Sequence, residues 1–351
     1  MDDELLPDVR TSVRGDIGRI TLDRPKAINA LTSGMVRRVD NALDAWERDP
    51  GVRVVLIDGA GQRGLCAGGD VKMFYASALA DGRDAREFWR AEYQMNARIA
   101  AYPKPVVAIM FGRVLGGGVG VSAHARHRVV TDGSSVGMPE VGIGFIPDVG
   151  GTWLLAAAPD RLGYYLGLTG LPVGPGDAIR CGLADVYIPA TGLAMIRSAT
   201  SAQALLSSIA RLAALPPPGE LAGMHHWIAD CFSAPTAIAI VRRLRDNGDT
   251  QAAATADVIE TRSPEAVELT LHALRRASEL DSLDSALRME FALSCASLGR
   301  RDFVEGIRAQ VIDKDRAPRW RPPTLDELDT EQVAAQFIAY LSVAEGRQSS
   351  R

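Results

Sequence analysis

The sequence predicts an α/β chain followed by a helix-rich region, and three observations carry that expectation. Residues 9–14 and 17–23 are short β-type runs separated by Gly15-Asp16, which reads as a hairpin. Two mostly apolar strand-like runs, 52–57 and 106–110, are each followed by a glycine-rich loop and a helical pattern, the alternation of a layered α/β architecture. From about Leu193 onward the chain turns Ala-, Leu- and Arg-rich, and β-type alternation disappears.

Element by element, Thr32 or Ser33 can cap a first helix, in which Met35, Val39, Ala42, Leu43 and Trp46 form one apolar face ending near Asp49-Pro50-Gly51. A glycine-rich loop at 59–70 (GAGQRGLCAGGD) follows the strand at 52–57. A second helix is expected over 83–101, then the strand at 106–110, and then Gly116-Gly117-Gly118 leading into a helix at 119–125. Asp148 stands just before a helix expected over 149–157. Short helices at 161–169 and 176–181 and a strand end at 187–189 complete this part. Residues 215–219 (LPPPG) read as a linker, and Ser263-Pro264-Glu265 opens the first of two helices, about 265–280 and 283–298.

At 351 residues the chain can bury a large core, and its 47% hydrophobic and 23% charged content is that of an ordinary globular protein. The net charge of −4 gives no global basic field for nucleic acid. Four scattered cysteines without a CxxC pair argue against a zinc site or a disulfide framework and suit a reducing compartment. The acidic start MDDELLPD has the pattern of neither a signal nor a transit peptide, and no apolar run is long enough to span a bilayer. A cytoplasmic protein is the expectation.

Chemistry concentrates between Gly112 and Gly151. Backbone N–H groups of the triple glycine lie at an expected helix start, where unpaired donors favour a phosphate or a developing oxyanion; a tight packing turn is the alternative. Gly68-Gly69-Asp70 is a second such turn, and two loops can each give one N–H to a common oxygen. Glu140 and Asp148 lie among apolar residues and glycines, where burial would raise a carboxyl pKa toward neutrality. Asp148 can equally be a helix cap, and Glu92 reads on its own as a solvated helix acid. Cys66 has no flanking histidine, His124 and His127 have no third ligand nearby, and Arg24, Lys26, Arg63 and Lys72 flank the loops where phosphates could be met.

The segments at 23–31 (DRPKAINAL), 66–70 (CAGGD), 104–112 (KPVVAIMFG), 116–120 (GGGVG) and 138–151 (MPEVGIGFIPDVGG) resemble the enoyl-CoA hydratase/isomerase (crotonase) superfamily. Residues 86–96, 163–170, 231–236 and 302–322 narrow the resemblance to its branch of 3-hydroxyisobutyryl-CoA hydrolases, over nearly the whole chain. The resemblance implies a crotonase-like spiral of repeated ββα units forming stacked sheets over 1–200, carrying the active site, and a helical region over 201–351 packing on or capping it. It implies an acyl-CoA substrate, no cofactor beyond the CoA of that substrate, no metal, and compatibility with a homo-oligomer. It implies thioester hydrolysis in valine catabolism, with an oxyanion hole from Gly69 and Gly117. Glu140 would be the principal catalytic carboxylate, as general base or nucleophile, Asp148 would assist it, and Glu92 would contact substrate. Gly120 departs from the hydratases, which carry glutamate there, and Asp148 departs from their small residue.

Overall fold

Gly15, at φ +62°, turns the chain back so that Val9 lies opposite Leu22 and Arg14 opposite Ile17 in an antiparallel hairpin. The computed structural model describes residues 8–344, so most of the acidic start lies outside the described residues. The strands in chain order are β1 (Val9–Arg14), β2 (Ile17–Leu22), β3 (Val54–Gly59), β4 (Val106–Met110), β5 (Arg113–Leu115), β6 (His127–Val130), β7 (Ser135–Gly137) and β8 (Val186–Tyr187). One sheet runs β1-β2-β3-β4-β6-β8, parallel from β2 onward, and β5 pairs in parallel with β7 in a second, two-stranded sheet. Every residue of β4 is buried, as expected of a central parallel strand. The observed β3 begins two residues later than the sequence suggests.

Helix α1 (Ser33–Glu47) starts where Thr32 accepts a hydrogen bond from the Met35 N–H, and its buried residues include all five of the expected face. A helix that the sequence pattern does not mark, α2 (Val71–Ala78), follows the first glycine loop and precedes α3 (Arg83–Ala100). Gly117 and Gly118 are part of α4 (Gly117–Ser122) rather than a preface to it, with Gly116 as its N-cap. Helix propensity speaks against glycine there; close packing on the first glycine loop overrides it. The next helix, α5, spans Gly151–Ala156.

From Ala202 on, the described residues form helices joined by loops. Ser201, Thr236, Asp249, Ser263 and Ser282 each cap one of them through a side-chain oxygen. The break at 215–219 exposes Leu215, yet the helix after it is anchored to the first half. Asp177 accepts a hydrogen bond from the Glu220 N–H at 2.8 Å. One hydrophobic core runs from Val9 to Leu325 across this break.

Candidate functional site

The two glycine loops meet. Leu31 donates to the Gly68 carbonyl at 2.8 Å and accepts from the Asp70 N–H at 2.9 Å, and the Gly69 N–H between them has no partner among the described residues. Gly117, at the start of α4, likewise has a free N–H, as first-turn residues do. A Cβ on Gly117 would stand 3.3 Å from the Gly69 nitrogen and 2.6 Å from Glu92 Oε1, so a side chain there would crowd both the facing loop and Glu92. Both loops line a cavity of about 540 Å³.

Three buried carboxyls share that cavity, with the half-buried Asp70 at its edge. Glu92 comes from α3, Glu140 opens the short helix Glu140–Ile143, and Asp148 sits in the turn before α5. Glu140 lies against the triple glycine, since a Cβ on Gly116 would be 2.5 Å from its Oε1. All three are buried, and Glu92 Oε1 and Glu140 Oε2 have no hydrogen-bond partner among the described residues. Burial pushes Glu92 well above the usual carboxylate range, and the charges of Asp148 and then Glu140 push it further. Glu140 is raised well above its usual value by burial and then by Asp148. Asp148 is pushed up to about 7 by burial, against the pull of a hydrogen bond from Tyr93. Phe74, Phe145 and Phe303 give the cavity an apolar wall, and Phe145 stacks on Trp89 with ring centroids 5.5 Å apart.

Gly69, Glu92, Gly117, Glu140 and Asp148 are thus brought to one place. Asp148 is not a helix cap: Gly150 occupies the cap position of α5, and the carboxylate serving that helix start is Glu290, in helix Leu283–Ser297. Glu290 accepts from the Gly150 N–H at 2.6 Å, the Thr152 N–H at 2.9 Å and the Thr152 hydroxyl at 2.5 Å. Burial raises it to about 8 although these donors pull the other way. Tyr93 Oη donates to Asp148 Oδ2 at 2.8 Å and lies 2.8 Å from Ser294 Oγ. The sequence reading missed Glu290, Tyr93 and Ser294, together with Arg262, Phe303, Gln310 and Val311, which line the cavity from the second half. One signal was available. Ala286, Glu290, Leu293 and Ser297 recur at helical spacing on a buried face, with Ser294 beside them.

Other candidates separate from the site. The thiol of Cys66 is buried and pushed up to about 12, which leaves it un-ionised and inert. His124 hydrogen-bonds the Val149 carbonyl through Nε2 at 2.8 Å, while His127 stands on β6, so they share no helix face. Arg24 pairs with Asp70 at 2.9 Å at the cavity edge, and Arg63 donates to the carbonyls of Pro25 and Lys26. Lys72 lines the cavity from an exposed position, and Lys26 is exposed.

Residues 17–337 match the family model described as enoyl-CoA hydratase/isomerase. A mitochondrial 3-hydroxyisobutyryl-CoA hydrolase of Rattus norvegicus is 37% identical over 92% of this chain and 87% of its own length. The structure of a carnitinyl-CoA dehydratase from Mycobacterium thermoresistibile superposes with a TM-score of 0.91 at 50% identity, covering 95% of this chain and 96% of that one. An enoyl-CoA hydratase from Rhodobacter sphaeroides 2.4.1 follows at 0.86 and 42%, covering 96% and 98%. No described helix is long and apolar enough to cross a membrane. The layered α/β fold is the crotonase fold, and the chain belongs to the enoyl-CoA hydratase/isomerase family.

Proposed function

We propose that the chain hydrolyses the thioester of a short, branched 3-hydroxyacyl-CoA, with 3-hydroxyisobutyryl-CoA as the preferred substrate, releasing 3-hydroxyisobutyrate and CoA in valine catabolism. The observation that carries this reading is an exchange of acids in the site. Asp148 lines the cavity, while Gly120 offers no carboxyl and no room for one, because a Cβ there would lie 2.6 Å from the Val149 Cβ. Adding water across a double bond with two glutamates calls for the acid that Gly120 lacks. Thioester hydrolysis calls for an oxyanion hole, a carboxyl poised for proton transfer, and a held water. The rat relative's name agrees with this reading, and the names of the two solved structures belong to the hydratase side of the family.

In this reading the thioester carbonyl oxygen accepts from the Gly69 and Gly117 N–H groups. Removing one such donor typically costs roughly 2.7–4 kcal/mol in the transition state. Water attacks the carbonyl carbon, or Glu140 attacks it directly to give an anhydride that water then opens. In the water route, one carboxyl of the Glu140/Asp148 pair is ionised and takes the proton, and the other, protonated, returns one to the departing CoA sulfur. Glu140, against the glycine turn, is the principal catalytic carboxyl; Asp148 assists, and Glu92 contacts the bound acyl group. Apolar neighbours raise both members of the pair toward the working pH, as proton transfer requires.

The test is kcat/KM for CoA release across a panel of acyl-CoA esters with and without the β-hydroxyl. The reading expects the branched 3-hydroxy esters to lead. Equal rates for esters lacking the hydroxyl would contradict the substrate assignment.

A further inference from the structure

Of the three buried carboxyls lining the cavity, Asp148 alone accepts a hydrogen bond from a side chain among the described residues. Its donor is Tyr93, whose single hydroxyl proton, once given to Asp148, leaves Ser294 as the donor to Tyr93. The chain Ser294 to Tyr93 to Asp148 therefore has a direction that ends on an anion. A donor to the charged form favours that form, whereas Glu92 Oε1 and Glu140 Oε2 face buried space without one. Two like charges in one buried cavity are costly, so the first ionisation goes where a donor waits.

We propose that Tyr93, held by Ser294, is a positioning residue that fixes Asp148 as the ionised carboxyl of the resting site and leaves the shared proton on Glu140. Asp148 then takes the proton from the attacking water and Glu140 supplies one to the leaving sulfur; return of the proton from Asp148 to Glu140 restores the resting site, so the cycle closes without a further reactant. The groups that face Asp148 are Glu92 and Tyr93 on α3, Glu140 on the Glu140–Ile143 helix, and Glu290 on the Leu283–Ser297 helix, with Ser294 of that helix behind Tyr93. His124 reaches the next residue through the Val149 carbonyl and is pushed down to about 4, so it brings no cation at neutral pH. Tyr93 and Ser294 are thus the neighbours able to decide where the charge sits.

These acid and base roles rest on the proposed hydrolysis; the location of the charge does not. The test is infrared titration of the ligand-free protein, with Asp148→Asn and Glu140→Gln identifying the two protonated-carboxyl bands. In wild type the Asp148 band should vanish at a lower pH than the Glu140 band. Tyr93→Phe should move the Asp148 midpoint up by about one pH unit or more, the worth of a hydrogen bond to a charged group. The acidic limb of kcat/KM for CoA release should move with it while ester binding is kept. If Tyr93→Phe fails to fold, Ser294→Ala should give a smaller shift in the same direction. An unmoved midpoint, or a Glu140 band that vanishes first, overturns the proposal. Absence of CoA release by wild type would sink the functional reading instead, and the infrared midpoints would still decide the charge.

Discussion

Val149 packs its side chain over Gly120: the Val149 Cβ stands 2.6 Å from where a Cβ on Gly120 would be, and Val149 holds φ +54° to do so. A β-branched residue in the left-handed region is a genuine outlier, costing on the order of 1–3 kcal/mol, and the surrounding structure must over-determine it. Asp148, the residue before it, lines the cavity. Gly120→Glu should consequently lower Tm and confer no hydration of crotonyl-CoA. Gly120→Ala alone should cost about 1–3 kcal/mol by overpacking, relieved when Val149→Gly is combined with it. Denaturant unfolding of the single and double variants checks both statements.

Glu290 holds the turn on which Asp148 rides. Glu290→Ala leaves the Gly150 and Thr152 N–H groups and the Thr152 hydroxyl without their acceptor, and should cost about 2 kcal/mol or more. Glu290→Gln keeps an acceptor oxygen and should cost less. Urea unfolding measures the difference, and kcat should follow stability in order, because the turn positions Asp148.

The carboxyl cluster sets a pH dependence with a definite sign. Asp148 titrates at about 7 in the folded protein, above its value of 3.8 in an unfolded chain. Between those values the folded state holds a proton that the unfolded state has lost. This contribution to stability is fully present below the unfolded value and disappears as pH rises through the folded one. Asp148→Asn removes it, so Tm of wild type relative to the variant should fall from pH 5 to pH 8. A constant difference over that range would contradict the burial argument.

Cys66 sits between the glycine loops yet should take no part in the chemistry. With its thiol pushed up to about 12, alkylation of the native protein should spare it while the half-buried Cys295 reacts first. Cys66→Ala should keep most of the wild-type kcat.

The sequence made the hairpin at Gly15-Asp16, the Thr32 cap of α1 and the buried strand β4 legible because each depends on residues close together in the chain. Glu140 and Asp148 could be found because their setting is apolar in sequence as well as in space. The α2 helix escaped because its eight residues carry no side-chain cap and no clear period. The group serving the start of α5 was not legible for a different reason. Asp148 is adjacent, but the carboxylate that serves the helix comes from a residue 138 positions later than Thr152. Tyr93 and Ser294, 201 positions apart, meet only through packing of α3 on the Leu283–Ser297 helix.

The measurement that bears most directly on the central claim pairs two assays on one preparation: thiol release from 3-hydroxyisobutyryl-CoA and hydration of crotonyl-CoA, for wild type and Glu140→Gln. The account predicts free CoA from wild type, a loss of roughly 10²–10⁴-fold in kcat with Glu140→Gln while ester binding survives, and negligible hydration by either. Hydration of crotonyl-CoA without CoA release, or equal CoA release by both proteins, would contradict it.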